Sequence, residues 1–257
     1  MTRILIALLV ALCLSVSWES AAAGQHRISK TIFVLFDLSG STATSKIRQE
    51  YLENFKRIVD PRGFRDDFYS SFLSPGDVLI ADVISGNSIS ESSFPIRLEL
   101  KKYSYWLDNR FRYAKYLRTE KENVIHQARA LLLGQKRKIM STDILSALRV
   151  AERVFKSFIR DRAVLIIMSD MLEESGKYNF AKMRLTTRRI RNIIKTEETR
   201  GLPDLKDVEV YIAGCRASDR QQFMAVRDFW LKYFKRCGAV LKPENYGRAL
   251  APLPTSH

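Results

Sequence analysis

Three short stretches of the chain bring oxygen-bearing side chains to places where a strand stops or a helix starts. In Asp37-Leu38-Ser39-Gly40-Ser41 an acid closes the apolar run FVLF, and two hydroxyls follow on alternate positions. Ser169-Asp170 closes a second apolar run, AVLIIM, and Ser141-Thr142-Asp143 stands immediately before an amphipathic segment that opens at Ile144. Gathered together, these offer carboxylates and hydroxyls with no nitrogen or sulfur side-chain donor. Such a set suits a hard divalent cation, Mg2+, Mn2+ or Ca2+. Zinc is disfavoured, because the only histidines are His26, His126 and His257. Each stretch has a plainer explanation when taken alone: Asp and Ser favour turns, and Thr142 is also a natural helix cap. Their order along the chain makes them a candidate set.

The elements that must position them can be read from hydrophobic periodicity. Apolar runs begin at Thr31 (TIFVLF), Asp77 (DVLIADVI), Pro95 (PIRLEL), Ala163 (AVLIIM), Val208 (VEVYIA) and Gly238 (GAVL). Helical stripes lie between them: Ile47, Tyr51, Phe55 and Ile58 in one, Ile144, Leu148, Ala151, Phe155 and Phe158 in another, each read as a core-facing row. This alternation predicts an α/β fold with a doubly wound, mostly parallel six-stranded sheet and helices on both faces. The polar connection SGNSISESS, residues 85–93, is too short for a crossover, so the third strand should be an antiparallel edge strand. In open α/β sheets, sites form beyond the carboxyl ends of the strands, where all three stretches would meet.

Motif order and strand-helix alternation over about residues 30 to 242 resemble the von Willebrand factor type A (vWA) domain and its metal-ion-dependent adhesion site. The resemblance rests on DLSGS after a hydrophobic strand, STDILSAL opening a helix, and VLIIMSD ending a later strand. It implies that Asp37, Ser39, Ser41, Thr142 and Asp170 hold one divalent cation. It also implies that a carboxylate of a protein partner completes the coordination, so the domain binds and does not catalyse. Family members commonly have glycine before the threonine and after the last aspartate, where this chain has Ser141 and Met171. Glu173 and Glu174 read as rim residues, either supplementing the site or forming a solvated acidic loop. An enzyme reading has less support. FDLSGST superficially resembles the aspartyl-phosphate motif of haloacid dehalogenase-type phosphatases, but Ser39 stands where that motif has its second acid. A metal-dependent hydrolase would need a base such as Glu173 or Asp143.

The chain has 257 residues, enough for one large domain, and a formal net charge of +15. Its first 23 residues combine Arg3, the apolar run Ile4 to Val16 and a small-residue site at Ala21-Ala22-Ala23, the pattern of a secretory signal peptide. The reading is therefore a signal at 1–23, a vWA-like domain at 24–242 and a loosely packed tail at 243–257, in a periplasmic or secreted protein. Cys215 and Cys237 end consecutive elements about 27 Å apart at the helical rise of 1.5 Å per residue, so two unpaired thiols are expected. The segment opened by Ser218, with Gln221 completing a capping box, should be the helix between them.

Two basic runs, eleven Lys or Arg from Lys101 to Lys138 and seven from Lys182 to Arg200, favour anionic partners. A metal-independent binder of anionic surfaces or polymers is accordingly the alternative function, and solvated helix faces are the plainer account of each run. Tyr103, Tyr105, Trp106, Phe111, Tyr113 and Tyr116 are interleaved with the first run. Stacking on single-stranded nucleic acid is one use for them; burial against the sheet is the more economical one.

Overall fold

The computed structural model describes residues 28–42, 44–60, 67–86, 88, 93–134 and 141–254. Six strands form one sheet: β1 (Lys30–Asp37), β2 (Val78–Ile84), β3 (Ile96–Glu99), β4 (Arg162–Met168), β5 (Glu209–Ala213) and β6 (Val240–Tyr246), in the spatial order β3-β2-β1-β4-β5-β6. All neighbours are parallel except β2 and β3, which run antiparallel from Val78↔Glu99 to Ala81↔Ile96. The antiparallel edge expected from the short 85–93 connection is therefore present. Among the described residues five helices cover the sheet: α1 (Ser45–Val59), α2 (Arg110–Gly134), α3 (Ile144–Ser157), α4 (Thr187–Thr199) and α5 (Arg220–Arg236).

Strand periodicity decides which helix covers which face. Side chains alternate across a strand, so Ile32, Val34 and Phe36 of β1 join a core with α1 and α2, while Phe33 and Leu35 face α3, α4 and α5. β4 divides in the same way, with Val164, Ile166 and Met168 on the first side and Leu165 and Ile167 on the second. The central strands are buried on both faces, which is why they read as unbroken apolar runs. The predicted stripe Ile47, Tyr51, Phe55 and Ile58 is buried in full, and Ile144, Leu148 and Ala151 are buried with Phe155 and Phe158 partly covered.

The edges differ from the centre. β3 has four residues, with Ile96 and Leu98 inward and Arg97 and Glu99 outward. On the other edge β6 exposes Lys242, Pro243 and Glu244, and its register shifts between Val210 and Ile212 of β5. Of the segment expected as a tail, 243–257, residues 255–257 lie outside the described residues, and the rest begins within this strand. β6 continues to Tyr246, and the amides of Gly214 and Cys215 donate to the carbonyls of Arg248 (2.9 Å) and Gly247 (3.2 Å). Leu250 then returns to the α1/α2 core with 3% exposure. Pro243 reads in sequence as a breaker, but an edge strand tolerates the missing N–H.

Two local expectations also shift. α5 is capped by Asp219, which accepts from the Gln222 amide at 2.8 Å, while Gln222 Oε1 accepts from the Ser218 amide at 2.9 Å. The cap thus sits one residue later than the predicted Ser218 and Gln221 pair, and the Gln222 side chain reaches past it to Ser218. Among the interleaved aromatics, Tyr103, Tyr113 and Tyr116 pack on one another with Phe68, Tyr105 touches Tyr103 edge-on at 5.2 Å while most of it faces solvent, and Trp106 and Phe111 stand in solvent. Cys215 and Cys237 are free and buried. The expected leader, residues 1–23, lies outside the described residues, and among the described residues no helix is long and apolar enough to cross a membrane.

Candidate metal centre

Asp37 is the last residue of β1, opposite Ile84 of β2, and Phe36 lies opposite Met168 of β4. Ser169 and Asp170 therefore leave the sheet directly beside the Asp37 loop. Asp37 is fully buried and is held by short-range donors: the Ser39 amide to Oδ1 at 2.9 Å, and the Ser169 hydroxyl to Oδ2 at 2.7 Å. The chain then makes a single 3-10 turn, Gly40–Thr42. Thr42 pins this turn by donating to the carbonyl of Asp37 at 2.7 Å, and the hydroxyls of Ser39 and Ser41 lie 3.1 Å apart. The alternate serines of the sequence motif thus bring their oxygens together on one side of the loop.

Asp170 enters from β4. Its Oδ1 accepts from the Leu172 amide at 2.9 Å, and the Ser41 hydroxyl is near enough to draw its pKa down. Thr142 is buried and lies on a neighbouring loop, clamped by a two-way backbone bridge with Glu174 at 2.9 Å in each direction. The Asp143 amide reaches the carbonyl of Ser85 beyond β2 at 3.4 Å. Gly86 is packed there against Ser141: a Cβ on Gly86 would fall 2.0 Å from the Ser141 hydroxyl, so no larger residue fits without displacing that side chain. The geometry joins Asp37, Ser39, Ser41 and Asp170 through hydrogen bonds or mutual charge, and ties Thr142 to the same rim through the segment that follows Asp170.

Electrostatics separate this cluster from an ordinary capped turn. Burial raises the Asp37 carboxyl above its usual range, against the opposing pull of its Ser169, Ser39 and Thr42 hydrogen bonds. Asp170 is pushed up to about 6, first by burial and then by the charge of Asp37. Tyr51 of α1 is buried with a hydroxyl that has no hydrogen-bond partner; its pKa is raised by burial and then by the charges of Asp37 and Asp170. Two crowded acids beside hydroxyl oxygens fit a hard cation, with the buried Cys215 thiol within reach of the Asp170 charge. Among the described residues no group of three or more His, Cys, Asp or Glu is placed to hold a metal, so any cation here depends on the hydroxyls as much as on the two acids.

Glu173 departs from the sequence reading. It is fully buried, and its Oε2 accepts from the amides of Ile144 (2.8 Å) and Leu145 (3.3 Å), capping the positive end of α3. Its Oε1 has no partner, and burial, followed by the charge of Asp143, lifts the group to about 8. Asp143 is likewise occupied at the start of α3, accepting from the Ser146 amide at 2.8 Å and hydroxyl at 2.6 Å. The acidic rim is therefore partly interior. Both carboxylates offered as a hydrolase's base are committed to capping a helix.

Met171, where the resembled family has glycine, adopts a left-handed φ of 66°. The backbone keeps the glycine-like turn without the glycine, and the conformation is held by full burial and by the Trp230 indole donating to its carbonyl at 2.9 Å.

No family model matches the chain, and no curated protein matches it in sequence. Several solved structures resemble it in shape. The pilus adhesin SpaC of Lactobacillus rhamnosus GG, in its open conformation, is 13% identical over 88% of this chain and 28% of its own, with a TM-score of 0.45. A von Willebrand factor type A structure from Catenulispora acidiphila is 13% identical over 82% of this chain and 43% of its own, at 0.40. Manganese-loaded TRAP of Plasmodium vivax is 11% identical over 77% and 62%, at 0.38. This chain spans less than two thirds of each of these structures, and at such identities the match gives no residue a role.

Sequence reasoning missed three parts of the site. Tyr51 was absorbed into a core stripe, although a tyrosine among apolar residues carries a hydroxyl that needs a partner. Ser169 holds Asp37 and is the residue before Asp170 in the motif already quoted. Glu173 reads from sequence as a rim acid, and its capping role gives no local signal, because it reaches a helix start 29 residues back.

Proposed function

We propose that the chain is a vWA-type binding domain that takes one divalent cation, Mg2+ or its chemical relatives Mn2+ and Ca2+, at the carboxyl edge of its sheet. Asp37, Ser39, Ser41, Thr142 and Asp170 hold it. The observation that carries the reading is the pair of buried carboxylates, Asp37 and Asp170, raised in pKa by burial and, for Asp170, by the charge of the other, with no ion pair to a basic side chain among the described residues. Two such acids side by side are costly until a positive charge joins them. When bound, the cation supplies an open coordination position for a carboxylate of a protein partner. The protein's own groups do the rest: Ser169 and Ser39 fix the Asp37 carboxylate, Thr42 pins the loop, and Glu174 holds Thr142 on the rim. The leader-like opening and basic surface fit a periplasmic or secreted location. In this reading the domain is an adhesion or assembly module and not an enzyme.

Calorimetric titration of Mg2+ and Mn2+ into the metal-stripped protein tests it, beside Asp37→Ala and Ser39→Ala. One saturable site that both variants lose is the expected result. A folded parent that binds neither ion overturns the proposal. Partner capture that chelator abolishes then tests the adhesive role, whereas capture indifferent to chelator but steeply salt-dependent favours metal-independent binding to anionic surfaces.

A further inference from the structure

At the opposite edge of the sheet, where β3 ends, the chain builds a projecting tip. Tyr105, Trp106 and Leu107 are 81%, 96% and 88% exposed, and Phe111, at the start of α2, is 84% exposed. Four large apolar side chains standing in water within seven residues are unusual on a domain whose other large residues are mostly covered. The tip is held in place. The Ser104 amide donates to Asp108 Oδ2 at 2.7 Å and the Asp108 amide to the Ser104 carbonyl at 2.9 Å, closing the loop beneath the three exposed residues. Asn109 Oδ1 accepts from the amides of Phe111 (3.0 Å) and Arg112 (3.1 Å), fixing where α2 begins. Below, Tyr103 packs against Phe68 and Tyr113 with ring centroids 4.9 Å apart in each case, and the Tyr113 hydroxyl donates to the Lys101 carbonyl. Exposure here is imposed by the fold.

Charge surrounds the tip on one side of the balance. Lys101, Lys102, Arg110, Arg112, Lys115 and Arg118 are all exposed, against Asp108 as the one acid within 101–118, which closes the loop; Glu99, just before, is paired with Arg160. We infer that this tip is a peripheral docking surface for an anionic lipid bilayer, with Trp106, Leu107, Tyr105 and Phe111 entering the interface and the basic residues lying on the headgroups. Trp, Tyr, Phe and Leu beside Lys and Arg form the set that partitions to a bilayer surface. A protein interface would require a matching pocket for each protruding side chain, whereas a bilayer needs none. The stacking reading for nucleic acid suffers from the same geometry: the rings at the base of the tip stack on one another and not in an open track.

The tip lies at the amino-terminal edge of the parallel strands. The Leu100 amide donates to the Asp77 carbonyl just before β2, and Gly76 lies beside Lys102 and Ser29 just before β1. Docking there leaves the carboxyl-terminal edge turned away from the lipid. The inference does not depend on the metal reading.

The test is the emission of Trp106 in the full chain with Trp18→Phe, which leaves Trp106 and the buried Trp230 as its only indoles. Added vesicles of phosphatidylglycerol and phosphatidylethanolamine should shift the emission to the blue, and brominated lipid should quench it. Leu107→Asp with Phe111→Ser should weaken vesicle binding about tenfold or more. Lys101→Glu, Lys102→Glu and Arg112→Glu together should weaken it about a hundredfold, at about fivefold or more per basic residue. Lys101, Lys102, Leu107, Phe111 and Arg112 are all exposed, so folding is not at stake in these variants. Emission that stays solvent-like while the chain sediments with vesicles overturns the inference, because some other segment is then the anchor. So does a blue shift that appears without lipid as protein concentration rises, which assigns the tip to a second copy, or one produced only by single-stranded DNA.

Discussion

Two buried aspartates, one at each end of the central strands, solve the same problem in opposite ways. Asp77, at the amino-terminal end, has its cation inside the chain: Lys30 Nζ lies 3.1 Å away, and the Lys30 amide (2.7 Å) and Ser74 amide (2.9 Å) complete the cage. Asp37, at the carboxyl-terminal end, has only hydroxyl and amide donors, and its charged neighbour is a second carboxylate. Burial raises the pKa of both acids. The difference lies in what neutralises them. A buried acid with a resident ammonium belongs to the architecture, whereas one facing another acid is unfinished until something arrives from outside.

That contrast can be broken most severely at the architectural end. Asp77→Ala removes the ion-pair partner of a lysine that is itself 2% exposed, and should cost about 3–5 kcal/mol in chemical denaturation. An unchanged midpoint would erase the distinction between the two ends.

The next effect concerns Glu173, lifted from an ordinary 4.5 to about 8. Its native state holds a proton that the unfolded chain has lost, so its contribution is present below about pH 4.5 and is lost as pH rises toward 8. Glu173→Gln keeps an acceptor for the α3 amides and should flatten this decline. Melting temperatures of parent and variant should agree near pH 4.5 and diverge by pH 8.5, with the variant higher; parallel profiles would count against the buried-acid account.

Smaller, and of opposite sign to Asp77, is Asp37→Asn. In the absence of metal it should stabilise the protein by about 1 kcal/mol at neutral pH, because Asp170 no longer ionises beside a like charge. A lower melting temperature in chelator would place Asp37 with Asp77 as a structural acid. In the parent, cation affinity should weaken as pH falls through about 6, where Asp170 takes up its proton. Calorimetry in buffers of different ionisation enthalpy measures the protons released.

Least affected should be the thiols, one near each end of the sheet. Burial lifts Cys215 and Cys237 to about 12, so a thiol reagent at pH 8 should label neither until the protein unfolds. Selective labelling of Cys215 would show that the carboxyl end is open as well as charged.

The fold was legible because its signals are local. Unbroken apolar runs marked the central strands, and a nine-residue polar link excluded a crossover before β3. The loop of Asp37 was legible for the same reason, since its acid, hydroxyls and turn lie within six residues. What stayed hidden depends on distance along the chain. Glu173 caps a helix 29 residues upstream, and Tyr51 meets the acids only once α1 lies across the sheet. The aromatic run shows the limit of composition: Tyr103 and Tyr105 are two residues apart with the same ring and meet edge to face at 5.2 Å, yet Tyr103 is half-buried among Phe68 and Tyr113 while Tyr105, at the rim of the cluster, stands 81% exposed where the Ser104–Asp108 closure turns the chain outward.

The two outer strands bear on how the protein behaves in a crowd. A sheet normally recruits strands from its neighbours through unpaired edge groups, and a long flat edge acts as a template for aggregation. Here one edge is four residues long and presents Arg97 and Glu99, and the other carries Lys242, a proline and a register slip. Neither offers a run of free amides long enough to copy, so the molecule can be concentrated at a surface without growing into fibres edge on edge.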